Sequence, residues 1–130
     1  MSQFPAVHHV AVTVTDLNKS RDWYQRLFDV NPVLDEDTGP FHHVVWPLGN
    51  TLFGIHKHPS TKAGDSASEF RPGLDHVSFG VPSRDDLGKW EARLNELGIK
   101  NGGVVDAHYG SGLSFRDLDN NPLELFAPPA

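Results

Sequence analysis

The alternation of apolar and polar residues along the chain predicts two copies of one strand-and-helix unit. The first copy begins with His9–Val14 and the second with His76–Val81. Each opens with a histidine and then alternates, which is typical of a strand with one buried face. Each leads into a helix start, at Asp16 and at Ser83. A repeated unit that begins with an imidazole suggests two half-sites that meet across one cavity, so a metal site is the first hypothesis.

In the first copy, the spacing of apolar residues predicts a helix over 16–28. Leu17 and Tyr24 fall on one helical face together with two further apolar residues near the end. Asp16 is placed to cap the first amides, and Asn31-Pro32 is expected to end the helix. Short runs punctuated by turn residues predict the strands of this copy, at about 7–15, 32–35, 41–48 and 51–58.

The second copy repeats this order. A helix is predicted over 83–97, with Leu87 and Leu94 on its buried stripe and Gly98 at its C-terminal cap. The predicted strands cover about 74–81, 103–107, 113–116 and 122–127. Residues 59–72 are rich in Ser, Gly and Ala, which is typical of a linker or a mobile loop. We therefore expect a single domain over residues 1–130, with one module at about 6–58 and the other at about 73–128.

Alternation also separates the two faces of each strand. The apolar residues share one face, which can pack on the amphipathic helices. Small residues and a few polar side chains share the other face, which is expected to line a cup. The polar residues on this predicted face are His9, His56, His76 and Glu124. His58 falls on the same side as His56, and Phe126 and Trp46 are further candidate lining residues.

Three segments resemble those of the vicinal oxygen chelate superfamily, which includes glyoxalase I, extradiol dioxygenases, fosfomycin-modifying enzymes and bleomycin-binding proteins. They are the strand at His9, the run Gly73–Val77 and the closing run Asp117–Leu125. The family's closing turn usually reads Asp-Pro-Asp-Gly-Asn, and here Leu118 and Asn120 replace its Pro and Gly. Because Asn tolerates the left-handed conformation, the turn is expected to be retained.

The resemblance implies an α+β fold, in which two βαβββ modules form a curved mixed sheet around a metal-binding cup. It implies that a divalent metal, Fe(II), Mn(II), Ni(II) or Zn(II), is bound by His9, His76 and Glu124. It also implies a small-molecule substrate, a homodimeric assembly, and a glyoxalase-like or dioxygenase-like enzyme.

A fourth position on the cup separates the reactions of this superfamily. In glyoxalase I the equivalent strand carries a glutamate, whereas this chain offers His56, or His58 two residues later. We therefore expect a dioxygenase-like ligand set rather than glyoxalase I chemistry, with His56 as a fourth metal ligand or as an acid/base. Tyr109, with His108, is a candidate hydrogen-bond donor to an oxyanion, although the glycines that follow it are also typical of a simple turn.

Composition narrows the class of function. The formal net charge is −6, and no stripe of Lys or Arg is available to neutralise phosphates, so nucleic acid is not an expected partner. There is no cysteine, the first residues do not read as a signal peptide, and no apolar run is long enough to span a membrane. A cytoplasmic protein is therefore expected. Two alternatives to an enzyme remain open: a non-enzymatic drug- or metabolite-binding protein, and a family member with a structural or regulatory role.

Overall fold

The chain folds, in a computed structural model that describes residues 3–130, into two compact units with the same order of elements. The first unit extends to Asp65 and the second spans Ser66–Ala130. Each contains one strand, one helix and three further strands, and the four strands form one mixed sheet. The predicted pair of βαβββ modules is therefore confirmed. None of the helices within residues 3–130 is long and apolar enough to cross a membrane.

The first unit is built on a sheet with a parallel and an antiparallel part. Its elements are β1 (His9–Thr13), α1 (Leu17–Phe28), β2 (Leu34–Asp37), β3 (His42–Leu48) and β4 (Thr51–Lys57). The strand order is β1-β4-β3-β2, with β1 parallel to β4 and the other neighbours antiparallel. Since parallel strands cannot be joined by a hairpin, the chain crosses over through α1, β2 and β3 before β4 pairs with β1.

The second unit repeats this topology with the strand order β5-β8-β7-β6. Its elements are β5 (Val77–Gly80), α2 (Arg84–Glu96), β6 (Asn101–Ala107), β7 (Gly110–Arg116) and β8 (Pro122–Ala127). The sequence pattern places a strand start near residue 74, but the parallel ladder to β8 begins at Val77, opposite Leu123. His76 consequently lies one residue before β5 rather than inside it.

Helix α1 begins where the sequence predicts. The Asp16 side chain accepts a hydrogen bond from the Lys19 amide at 3.1 Å, which satisfies one of the free donors at the helix start. The helix ends earlier than Asn31-Pro32, because Asp29 adopts a left-handed conformation with φ of 51° and its amide bonds to the Gln25 carbonyl. The buried face of the helix consists of Ser20, Trp23, Tyr24 and Leu27.

An aromatic cluster fills the space between α1 and its sheet. Tyr24 is fully buried, and its ring centroid lies 5.2 Å from that of Phe53 and 5.9 Å from that of Trp46. The Trp46 indole donates a hydrogen bond to Gln25 Oε1 at 3.1 Å. The expectation that Trp46 lines a cup is therefore wrong. Trp46 pairs in register with Phe53, and both side chains belong to the face that α1 covers.

The second sheet divides its residues between two faces in the predicted way. Four large apolar side chains are buried together with Leu87 and Leu94 of α2, and these are Leu113, Phe115, Leu123 and Leu125. Burying side chains of this size stabilises the fold by about 2 kcal/mol each. The alternate residues of β5, β7 and β8 point to the opposite face, which holds the polar residues described below.

The closing turn before β8 has the geometry that its sequence predicts. The Asp117 carboxylate accepts hydrogen bonds from the amides of Asp119 at 2.9 Å and Asn121 at 2.8 Å. Asn120 has a φ of 66°, the left-handed conformation expected of a residue that replaces glycine. The Ala67 amide donates a hydrogen bond to the Asp119 carbonyl, and the Ala67 carbonyl accepts one from the Asn120 side-chain amide, each at 2.9 Å. Ala67, in the predicted linker 59–72, is therefore hydrogen-bonded to the closing turn.

Candidate functional site

A cavity of about 550 Å³ opens on the face of the second sheet that α2 does not cover. Its wall has a polar part and an apolar part, with glycines between them. The polar part is formed by His76, Ser78, Ser114 and Glu124. The apolar part is formed by Val105, Ala107, Tyr109 and Phe126, and the glycines are Gly110 and Gly112. The prediction that Phe126 lines the site is confirmed.

Glu124 lies in the middle of the polar part, because β8 runs between β5 and β7. It pairs in register with Ser78 on one side and Ser114 on the other. The Ser78 hydroxyl donates a hydrogen bond to Glu124 Oε1 at 2.9 Å. The absence of a side chain at Gly112 leaves space for the carboxylate, since a Cβ there would lie 2.8 Å from Glu124 Oε2. Sequence reasoning placed Ser78 on this face but did not foresee its bond to Glu124.

His76 converges on Glu124, as the sequence predicts. Its Nε2 atom lies 3.8 Å from Glu124 Oε1, and its Nδ1 atom lies 2.6 Å from Asp75 Oδ1. Two ligands bound to one ion at about 2.1 Å are about 3.0 Å apart at a right angle and about 3.4 Å apart at a tetrahedral angle. The observed separation is about 0.4 to 0.8 Å longer, so the two side chains would have to move together by that amount to bind one divalent metal. Asp75 was missed from the sequence, although a carboxylate directly before a candidate ligand is a visible signal.

His9 lies in the first unit, near the start of β1, and its side chain is exposed. His9 pairs in register with Leu52 of β4, so the two side chains lie on the same face of the sheet. Its Nδ1 atom lies 2.9 Å from the Nδ1 atom of His8. The predicted ligand set is thus divided between the units, with His9 in the first and His76 and Glu124 in the second. Among the described residues, no three His, Cys, Asp or Glu side chains form a cluster that could hold a metal.

His56 belongs to a group of imidazoles in the first unit. Its ring stacks on Phe41 with centroids 4.7 Å apart, and the rings of His43 and His58 lie 5.2 Å and 6.1 Å away. Partial burial lowers the pKa of His56 below its ordinary value of 6.5, and positive charge on His43, His58 and His9 lowers it further. The neutral imidazole, which can accept a proton, is therefore favoured at this position.

The register of the two sheets gives the counterpart of Glu124 in the first unit. Glu124 pairs with Ser78, two residues after His76, and the residue paired with Ala11, two residues after His9, is Gly54. By the same comparison His56, which pairs with Thr13, corresponds to Phe126. The first sheet therefore has a glycine, Gly54, and no side chain that could bind a metal, at the position where the second sheet has Glu124.

Tyr109 lies in the two-residue turn between β6 and β7, so the expectation of a turn in this segment is confirmed. Its ring is nearly parallel to that of Phe126, with an interplanar angle of 11° and centroids 6.1 Å apart. Tyr109 lines the cavity, whereas His108 does not. The two nearly parallel rings form part of the apolar wall beside the polar part of the site.

Comparison with known proteins places the chain in a family. The model of the glyoxalase/bleomycin resistance protein/dioxygenase superfamily matches residues 6–125. A glyoxylase/bleomycin resistance protein/dioxygenase domain from Frankia sp. EAN1pec is 31% identical, with a TM-score of 0.84 over 98% of this chain and 93% of that chain. No curated protein gives a sequence match.

Two more distant structures share the fold. The lactoylglutathione lyase from Agrobacterium tumefaciens is 18% identical, with a TM-score of 0.75 over 97% of this chain and 96% of that chain. The fosfomycin resistance protein FosX from Listeria monocytogenes, complexed with Mn(II) and sulfate, is 20% identical, with a TM-score of 0.71 over 96% of this chain and 93% of that chain. From its sequence match and its two βαβββ units, the chain belongs to the glyoxalase/bleomycin resistance protein/dioxygenase superfamily.

Proposed function

We propose that this chain is a metal-dependent enzyme that binds neighbouring oxygen atoms of a small-molecule substrate. The observation that carries the proposal is the pair His76 and Glu124, whose Nε2 and Oε1 atoms face each other at 3.8 Å in the cavity. Each side chain is held by a further one, His76 by Asp75 and Glu124 by Ser78. Nitrogen and carboxylate donors held in this way are typical of sites for divalent metals.

We place His9 with His76 and Glu124 as the ligands of an Fe(II), Mn(II), Ni(II) or Zn(II) ion. Two imidazoles and one carboxylate leave open positions for substrate oxygens. The bound ion supplies Lewis-acid chemistry and, if it is iron, redox chemistry with dioxygen. His9 is contributed by the first unit of the same chain or of a second copy, and the assembly that we propose is a cytoplasmic homodimer.

The reaction that we favour is dioxygenase-like. Glyoxalase I chemistry in this superfamily relies on a further glutamate, and the position of β4 that corresponds in register to Glu124 is Gly54. A three-ligand site fits this arrangement better than a four-ligand site. In this proposal Ser78 keeps the Glu124 carboxylate in place, and the Tyr109 hydroxyl donates a hydrogen bond to a substrate oxygen. His56, whose lowered pKa favours the neutral imidazole, accepts a proton.

Metal binding tests the proposal most directly. The protein is purified without chelator, its metal content is measured, and equilibrium dialysis follows with Fe(II), Mn(II), Ni(II) and Zn(II). We expect about one ion per chain, and a loss of at least 100-fold in affinity in His76→Ala and Glu124→Gln. The matched controls are His108→Ala, which removes an imidazole that does not line the cavity, and Glu96→Gln, which removes an exposed carboxylate at the end of α2.

An oxygen-uptake screen over catechols is run on the loaded protein. Uptake that is lost in His76→Ala supports the dioxygenase-like reading. If the wild-type protein binds none of the four ions, or if the controls lose as much affinity as the site variants, the enzyme proposal is refuted.

The second candidate is a non-enzymatic protein that binds a drug or metabolite. The observation that favours it is the pair of nearly parallel rings, Tyr109 and Phe126, in the cavity wall, because aromatic side chains in a cavity provide apolar contact area for a small-molecule ligand. The net charge of −6 would suit a cationic ligand. His76→Ala separates the two functions: it abolishes metal binding and turnover in an enzyme, whereas a binding protein keeps its affinity for the ligand.

A further inference from the structure

The two histidines proposed as ligands share a feature that the rest of the site does not explain. In each, the Nδ1 atom is engaged by the side chain of the residue directly before it. His76 Nδ1 lies 2.6 Å from Asp75 Oδ1, and His9 Nδ1 lies 2.9 Å from His8 Nδ1. These contacts occur at the same place in the two copies of the repeat, one in each unit. They use different chemical groups, a carboxylate and an imidazole, to reach the same ring atom.

The chemistry of imidazole gives this feature a consequence. A neutral ring carries one proton, and only the nitrogen without it can bind a metal. A carboxylate can only accept, so the Asp75 contact requires the proton of His76 to lie on Nδ1. Nε2 then carries the free lone pair, and it is the atom that faces Glu124 Oε1 at 3.8 Å.

The contact in the first unit joins two imidazoles, either of which can donate. Two Nδ1 atoms 2.9 Å apart require one to donate and the other to accept. When His9 donates to His8, the lone pair of His9 lies on Nε2. The two rings are nearly perpendicular, at 87°, which fits donation in either direction, and we take His9 as the donor.

We propose that Asp75 and His8 are positioning residues, which fix the tautomer and the orientation of His76 and His9 so that both present Nε2 to a metal. The inference rests on the proposed function for the metal itself, but its first consequence concerns the metal-free protein. Asp75 is 71% exposed, and surface ion pairs of this kind contribute little to the stability of a fold. Stabilisation of the fold therefore does not account for the contact between Asp75 and His76. Fixing a ligand ring is a role that such an exposed contact can fill.

The first experiment reads the tautomers in metal-free protein. Protein with 15N-labelled histidine is examined at pH 8 by long-range 1H–15N correlation NMR, which distinguishes a protonated from an unprotonated ring nitrogen. We expect an unprotonated Nε2 in both His76 and His9. Asp75→Ala should move the His76 proton toward Nε2 and leave His9 unchanged, and His8→Ala should do the reverse. The control is Asp22→Ala, which removes an exposed carboxylate of α1 and should change neither ring.

The second experiment measures affinity for Mn(II) and Zn(II). Asp75→Ala and His8→Ala should each weaken binding by about 10- to 100-fold, the usual cost of losing a group that orients a metal ligand. Asp75→Asn and His8→Asn keep an oxygen acceptor for the ring proton, and both should recover most of the loss. If Asp75 and His8 only stabilised the fold, metal affinity would follow thermal stability, and the Asn variants would not bind metal more tightly than Ala variants of the same melting temperature.

The outcomes separate the two proposals. If wild-type His76 or His9 carries its proton on Nε2, or if neither alanine variant changes its own ring, the positioning role is refuted whether or not the protein binds metal. If the tautomers are as expected but the wild-type protein binds no ion, the proposed function fails and the positioning of the two rings stands.

Discussion

A methyl group at Gly112 should test the site without disturbing the fold. In Gly112→Ala the new Cβ would lie 2.8 Å from Glu124 Oε2 and 3.4 Å from its Cδ. Ordinary contacts begin near 3.4 Å, so the carboxylate oxygen must move by about 0.6 Å. Glu124 has to approach His76 to share an ion with it, and the methyl group would hinder that movement, whereas metal–ligand distances in a formed site vary by only about 0.2 Å. We therefore expect affinity for Mn(II) or Zn(II) to fall by about 10- to 100-fold, or about 1.4–2.7 kcal/mol.

The fold itself should be little affected by this change. The backbone at Gly112 does not adopt a positive φ, so alanine fits its conformation, and the three nearest atoms all belong to the flexible Glu124 side chain. The free energy of unfolding should stay within about 1 kcal/mol of the wild-type value. Gly110→Ala is the contrasting control, because its φ is 143° and the new Cβ would lie 2.5 Å from the Ala127 carbonyl oxygen and against the Phe126 ring. It should destabilise the protein by about 3 kcal/mol.

The assay combines urea unfolding with equilibrium dialysis on both variants. We expect Gly112→Ala to lose affinity for metal while it remains folded, and Gly110→Ala to lose stability. A Gly112→Ala protein that binds metal as tightly as the wild type would refute the reasoning, since Glu124 could then not be a ligand in the conformation described above.

Three further predictions concern stability. The Arg84 guanidinium and the Ser111 hydroxyl lower the pKa of Asp106 from 3.8 to about 2, so the Asp106 carboxylate stabilises the fold fully above pH 3.8 and loses this effect as pH falls toward 2. The difference in melting temperature between wild type and Asp106→Asn should shrink over that interval, and a constant difference would contradict this. The pKa of His56 is lowered from 6.5, so folding favours its neutral form and the metal-free protein should lose stability as pH falls below 6.5. His56→Gln should weaken the dependence of melting temperature on pH between pH 8 and 5, and an unchanged dependence would contradict this prediction. Asn120 has a φ of 66°, so the free energy of unfolding of Asn120→Ala should be about 1 kcal/mol lower than that of Asn120→Gly in urea. Equal values would contradict the left-handed conformation as a cost to alanine.

The sequence predicts most of the fold because each copy of the repeat has two clear periods. Leu87 and Leu94 mark a helical face, and Leu123 and Leu125 mark the buried face of a strand, and the structure buries all four. The prediction failed for Trp46, because β3 carries apolar side chains on both faces and alternation alone does not say which face meets the helix. The pairing of Trp46 with Phe53 decides it.

The candidate site was less accessible to sequence reasoning, because it depends on register and on side-chain geometry. The convergence of His76 and Glu124 followed from their shared face. The match of Gly54, rather than His56, to Glu124 required the observed pairing of β1 with β4. The contact of Asp75 with His76 depends on side-chain torsions that no periodicity encodes.

The alternation along β8 also limits how this strand can change in length. Leu123 and Leu125 are buried against the helix side, while Glu124 and Phe126 line the cavity. Inserting or deleting one residue within the strand would exchange the two sets, which would place the carboxylate in the core and two leucines in the cavity. Changes of two residues would preserve both faces and would shift Glu124 along the strand by about 7 Å. Length variants of this strand should therefore survive only in even steps, and those that do should fold without the proposed metal site.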